Sequence, residues 1–343
     1  MKRRLATVYS SFTSDVQMRY SDWGARSARW SGIRSETVDV CGTGVHYLRA
    51  DAGSRVRPGA PPQLLIHPLA AGGTFLLDLI RPLTAYGDVI APDLPGSIFG
   101  HTGTPRVNAP RVEPNARFLR AFTDTLGLDR VILHGWSLGG AVALRFAAAT
   151  DRVERLVLAN PPLPARLTAA QWVGWQTLGR LAIAVGPAAA RGLLRFWGRR
   201  AIDQKLRILE RFDPSELDTM GGDPSRIAPE NIELWTDQLA ELRSDPSKMA
   251  YAATAFGSVV SGIFVNRRPV FDAIDRITAP VLLLWGAEDP LVERQAVDQV
   301  LARRPDWHLH VFASAGHAAP LEVPEEYVDV VGRWLGHGVD LSR

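Results

Sequence analysis

Short apolar runs and longer runs of helical spacing take turns along most of this chain. Residues 37–40 and 45–49 alternate apolar and polar positions and flank Gly42-Thr43-Gly44, which predicts a hairpin. Residues 63–66, 88–91, 130–133, 155–159, 281–285 and 308–312 are mainly apolar, most of them followed within two residues by Gly, Pro or Asn. Their length suits buried strands. Between them, residues 115–126, 138–149, 296–303 and 325–335 carry apolar positions at helical spacing. Strands alternating with helices predict βαβ units, hence an α/β fold with a mostly parallel sheet flanked by helices.

The alternation breaks between about residues 161 and 269. This stretch opens on Pro161-Pro162-Leu163-Pro164, contains Trp172, Trp175, Trp197 and Trp235, and shows no strand pattern. Because strands resume after it, it predicts an inserted helical cap and not a second domain in tandem. Gly186-Pro187 is expected to break the first cap helix in two. The expected organisation is a polar N-terminal extension (1–35), able to pack on the main domain, with scattered aromatics at Tyr20, Trp23 and Trp30. A core (36–160 and 270–343) follows, interrupted by the helical cap (161–269).

With 343 residues the chain can bury a large core. Its net charge of +3 and the absence of a dominant basic block give no support for nucleic-acid binding. The single cysteine, Cys41, rules out an intrachain disulfide and any multi-thiolate metal site. Met1-Lys2-Arg3-Arg4 is basic, yet the residues after it are too polar for the apolar part of a signal peptide. No run is long and apolar enough for a membrane span. A cytoplasmic protein without stable membrane insertion is therefore expected; oligomeric state is not legible.

The strongest chemical signal is Gly135-Trp136-Ser137-Leu138-Gly139-Gly140, placed between a predicted strand and a predicted helix. That setting turns a common G-x-S-x-G pattern into a nucleophile elbow. A serine hydroxyl needs a base to take its proton. Of the eight histidines, His317 follows the last predicted strand, at the end of a sheet where such folds gather reactive groups. His308 and His310 alternate within a strand, His337 sits in a Gly-flanked tail, and His46 belongs to the hairpin. His134 is expected to pack beside the sheet. Two carboxylates, Glu288 and Asp289, compete to orient the base. Asp289 beside Pro290 is preferred, the alternative being that it caps the turn that follows.

Developing negative charge on the substrate oxygen needs fixed donors. Leu138, after the serine, offers one backbone N–H. The loop His67-Pro68-Leu69-Ala70-Ala71-Gly72-Gly73 offers the other, from Leu69, since Pro68 has none. The paired glycines either bring that loop close to the site or form a plain turn. Asp93-Leu94-Pro95-Gly96-Ser97 reads as structural, with His101 in the loop beyond it.

These motifs, in the order Ser137, Asp289, His317, resemble the α/β-hydrolase superfamily over roughly residues 36 to 337. The resemblance implies an eight-stranded, mostly parallel sheet, a cap inserted after the sixth strand, and hydrolysis through an acyl-enzyme without metal or other cofactor. Serine at the nucleophile position argues against epoxide hydrolases and haloalkane dehalogenases, which carry aspartate. His67-Pro68 departs from the His-Gly of many relatives and weakens the assignment to Leu69. The apolar cap, with Arg180, Arg191, Arg195, Arg199 and Arg200 interleaved, points to a lipophilic small-molecule ester, lactone or thioester. Trp136, Trp172 and Trp175 are the candidate substrate contacts. The bland reading has the cap aromatics as packing and the arginines as solvated; another has a cap helix touching a membrane surface. Alternatives for function are a carbon–carbon bond hydrolase of ring-fission substrates, and a non-hydrolytic binding protein or cyclase.

Overall fold

The computed structural model describes residues 23–103, 109–211 and 220–336. Eight strands form one sheet: β1 (Arg34–Val40), β2 (Thr43–Ala50), β3 (Gln63–Ile66), β4 (Val89–Pro92), β5 (Val131–Trp136), β6 (Val153–Ala159), β7 (Val281–Gly286) and β8 (His308–Phe312). Their spatial order is β1-β2-β4-β3-β5-β6-β7-β8. The pairs β1–β2 and β2–β4 are antiparallel, and every later pair is parallel. The central strands β3, β4, β5 and β7 are buried along their whole length, as strands covered on both faces must be. Edge strand β1 instead alternates toward solvent.

Helices α1 (Leu77–Leu83), α2 (Val112–Thr125) and α3 (Leu138–Ala147) connect the early strands. Between β6 and β7 come α4 (Ala169–Gly174), α5 (Arg180–Arg211), α6 (Pro229–Leu242), α7 (Met249–Val260) and α8 (Arg268–Arg276). Helices α9 (Arg294–Arg303) and α10 (Pro324–Gly336) complete the chain. Two apolar clusters sandwich the sheet. One joins α1 and α10 to residues such as Leu48, Leu65 and Leu282. The other joins α2, α3 and α9 to Leu64, Leu133 and Leu283. Consecutive strand residues thus feed opposite faces.

Part of the N-terminal extension packs on the core: Trp23 and Trp30 are fully buried and meet edge to face at 6.2 Å. The Trp30 indole donates to Asp78 Oδ1 at 2.7 Å and that of Trp23 to Ser35 Oγ at 3.1 Å. Residues 1–22, including Tyr20, lie outside the described residues, as does His337.

One expectation needs correction: Gly186-Pro187 does not split the helix, and α5 runs through Pro187. Proline forfeits the hydrogen bond to the carbonyl of Ile183. There the helix packs on α7, where a Cβ added to Gly257 would lie 3.9 Å from both Ile183 O and Pro187 Cγ. Tertiary packing overrides the local break.

Candidate active site

Register brings the ends of four parallel strands together. Trp136 pairs with Ala159, Ala159 with Leu284, and Gly286 with Phe312. Ser137, Asn160, Asp289 and His317 therefore leave the sheet at one edge, the carboxyl end of its strands. Ser137 has φ +51°, ψ −120°, a left-handed conformation strained for a residue with a Cβ. The glycines around it are obligatory. A Cβ on Gly139 would sit 2.2 Å from Ile66 O, and one on Gly135 would sit 2.6 Å from Gly139 O. The strand-to-helix crossing closes only without side chains, and it turns the serine hydroxyl outward. Helix α3 starts at Leu138, directly behind it, so the helix N-terminus faces the site.

His317 Nε2 lies 2.9 Å from Ser137 Oγ, and its Nδ1 lies 2.8 Å from Asp289 Oδ2. Both side chains are buried. Glu288 is exposed. Asp289 Oδ2 faces the imidazole, while Oδ1 accepts the backbone N–H groups of Leu291 (2.7 Å) and Val292 (3.1 Å). The imidazole loop is pinned on every side. His317 N donates to Met220 O at 2.7 Å, and His317 O accepts from the Trp136 indole at 2.8 Å. Gly316 N donates to Glu322. Burial pushes the Glu322 carboxyl up, against the pull of its backbone donors Asp223 and Gly316.

A hydroxyl, an imidazole and a carboxylate linked in this order can pass a proton from the hydroxyl to the ring as the oxygen attacks an electrophile. A model of the alpha/beta hydrolase family matches residues 63–330. The chain belongs to this family. It is similar to a 2-hydroxy-6-oxononadienedioate/2-hydroxy-6-oxononatrienedioate hydrolase of Dechloromonas aromatica, 27% identical over 91% of this chain and 96% of that one. The corresponding hydrolase 2 of Pseudomonas putida is 28% identical over 91% of this chain and 98% of its own. Among solved structures, the epoxide hydrolase CorEH superposes with a TM-score of 0.64 at 20% identity, covering 89% of this chain and 99% of that one. E-2-(acetamidomethylene)succinate hydrolase superposes with 0.60 at 19%, covering 89% and 100%. These superpositions show the fold, and the protein is an alpha/beta hydrolase.

Within this hydrolase the remaining expected residues are dispersed. Leu138 is buried at the helix start, and Leu69 is half-buried in the loop after β3. That loop is held by His67, whose Nε2 accepts from Leu94 N at 3.0 Å and whose Nδ1 meets Pro68 O at 2.8 Å. Burial lowers the His67 pKa, and the Leu94 contact requires an unprotonated Nε2. Gly72 and Gly73 pack against β4 and the loop that follows it: a Cβ on Gly73 would lie 2.8 Å from Ala91 O. Trp136 turns into the core and holds the His317 loop. Trp175 stacks on Phe264 at 4.4 Å, and Trp172 is 51% exposed. The structure thus employs Trp136 and Trp175 in packing. His134 is buried beside the sheet, bonded to Tyr327 and Gln63.

Sequence reasoning missed Asn160. It is fully buried with φ +45°, and its Nδ2 donates to Asp289 Oδ2 at 2.7 Å and Gly316 O at 3.0 Å. It ties the carboxylate to the base's loop. The available signal was an asparagine directly after a core strand, because asparagine tolerates the left-handed region. Asn160→Gly keeps that backbone conformation and deletes the amide. We expect kcat to fall by roughly 10- to 100-fold with KM little changed, measured by steady-state kinetics; an unchanged kcat refutes the positioning role.

His46, Asp93 and His101 are the group among the described residues whose ligand atoms converge closely enough for a metal, within 4.8 Å. Protein donors already occupy the carboxylate. Oδ1 accepts Gly73 N at 2.7 Å, and Oδ2 accepts His101 N at 2.8 Å and lies 2.7 Å from His46 Nδ1. Burial pushes the Asp93 carboxyl upward, but the neighbouring imidazoles of His46, His101 and His67 outweigh this and hold it well below 3.8. A depressed folded pKa stabilises the fold above the unfolded value and loses that stabilisation as pH falls. Asp93→Ala should cost roughly 3–5 kcal/mol at pH 7. The gap to wild type should narrow as pH falls below 3.8. Urea unfolding at both pH values measures this.

Proposed function

We propose that this hydrolase cleaves a carboxylic ester, lactone or thioester of a lipophilic small molecule through an acyl-enzyme. The observation that carries this reading is the hydrogen-bonded chain Ser137–His317–Asp289, at 2.9 and 2.8 Å. Ser137 Oγ attacks the carbonyl carbon while His317 Nε2 accepts its proton, and Asp289 Oδ2 holds the Nδ1–H and steadies the imidazolium. The tetrahedral oxyanion takes the N–H groups of Leu138 and Leu69. The imidazolium returns the proton to the leaving oxygen or sulfur, and the acyl-serine remains. Water, deprotonated by the same imidazole, then releases the acid. The chain itself supplies every group these steps need, with no metal or cofactor. Residues 161–269 act as the cap over the site, and Trp172 and Trp175 belong to it.

A second reading, carbon–carbon bond hydrolysis, is favoured by the names of the relatives matched over 91% of the chain. In that case the bond beside the ketone breaks and His317 delivers its proton to carbon. Labelling tests the nucleophile, and a substrate comparison separates the readings. A fluorophosphonate labels Ser137 under either one. A panel of para-nitrophenyl esters of rising chain length is then compared with a vinylogous dienedioate ring-fission product. Faster turnover of longer esters supports the ester reading, and efficient cleavage of the dienedioate alone overturns it.

A further inference from the structure

We infer that residues 169–200, from α4 through the first two thirds of α5, form a docking face for an anionic lipid surface. Large apolar side chains are exposed there: Leu178 at 74%, Leu193 at 63%, Leu181 at 61% and Trp197 at 53%. Trp172, Val173 and Val185 are also more than half exposed. Folded domains seldom leave so many large apolar groups in water without a partner surface. Along this segment of the chain the charge has one sign. Between residues 169 and 202 the chain carries Arg180, Arg191, Arg195, Arg199 and Arg200 and no aspartate or glutamate. Arg180, Arg191, Arg199 and Arg200 are exposed, and Arg200 lies over the Trp197 ring at 4.8 Å.

The far end of α5 behaves differently. Ile202 and Leu206 are buried against Leu239 and Leu242 of α6, and Asp203 pairs with Arg243 at 2.9 Å. One helix is therefore anchored to the protein through Ile202 and Leu206 and presents apolar and cationic groups along the residues before them. Tryptophan and leucine suit the boundary between headgroups and acyl chains, and arginine suits anionic headgroups. No single helix among the described residues is long and apolar enough to cross a membrane, so the face lies on the surface and does not span it. The electrostatic match selects an anionic bilayer over a zwitterionic one. This inference stands whichever bond Ser137 attacks.

The test is co-sedimentation of the full chain with phosphatidylcholine vesicles, with and without phosphatidylglycerol. The protein should bind the phosphatidylglycerol vesicles, bind the others far more weakly, and come off as salt rises. Arg199→Gln with Arg200→Gln should weaken binding by roughly tenfold or more. Leu181→Gln, Leu193→Gln and Trp197→Gln together should do at least as much. Both variants should keep the wild-type melting temperature and fluorophosphonate labelling. Wild-type protein that stays in the supernatant, or binding untouched by either variant, overturns the inference. So does a dimer that the apolar variant dissolves while vesicles remain unbound, since the face then belongs to a second copy. Loss of labelling in the wild type would count against the hydrolytic reading alone and leave the vesicle result standing.

Discussion

Ser137→Ala should lower kcat/KM by roughly 10⁴- to 10⁶-fold and abolish fluorophosphonate labelling while the protein folds as before. The hydroxyl is the attacking group in either proposed reaction, and among the described residues it is the group hydrogen-bonded to His317 Nε2, at 2.9 Å. The fold should survive because alanine keeps the Cβ that the backbone at φ +51° already tolerates. It loses only one partly buried hydrogen bond, worth about 1 kcal/mol. A few degrees in melting temperature is the expected change. Wild-type turnover in this variant would remove Ser137 from the mechanism.

Asp289→Asn should be nearly as damaging, lowering kcat by roughly 10³- to 10⁴-fold, with more activity retained than in Ser137→Ala. The carboxylate receives donors on both oxygens: Leu291 N and Val292 N on Oδ1, Asn160 Nδ2 and His317 Nδ1 on Oδ2. An amide has one acceptor oxygen and cannot serve both sets. Facing the turn with its oxygen, it presents an NH2 group to His317, which then protonates on Nε2 and can no longer act as base. Asn160 can rotate to relieve part of the clash, because its Oδ1 is buried without a partner. Kinetics of Asp289→Asn combined with Asn160→Gly checks the coupling. Independent effects would multiply, whereas a shared role makes the double variant little worse than Asp289→Asn alone.

Much of this architecture was legible in the sequence because it rests on local regularities. Short apolar runs bounded by turn residues, such as 131–133 and 281–284, suit strands covered on both faces. The glycines of the elbow are required by contacts that any side chain would violate. Asp289 and His317 were legible because they follow core strands in chain order. What escaped depends on contacts between distant residues. Asn160 meets Asp289 across 129 positions, and Trp136 meets His317 across 181. Nothing in the neighbourhood of either residue announces its partner. Pro187 misled for the opposite reason: its local rule holds, but packing on α7 prevails. The extension's contacts were only partly legible, because its aromatics were visible in the sequence while their buried partners Asp78 and Ser35 lie at a distance.

Those two tryptophans set a boundary for anyone handling this protein. A truncation starting at β1 would strip Trp23 and Trp30 from beneath α1 and leave Asp78 facing only Arg29's vacated position and Asn231. Each lost indole alone would cost roughly 3–5 kcal/mol, a large share of what holds a domain together. The shortest independently folding unit therefore begins upstream of the first strand, at or before the tryptophan pair.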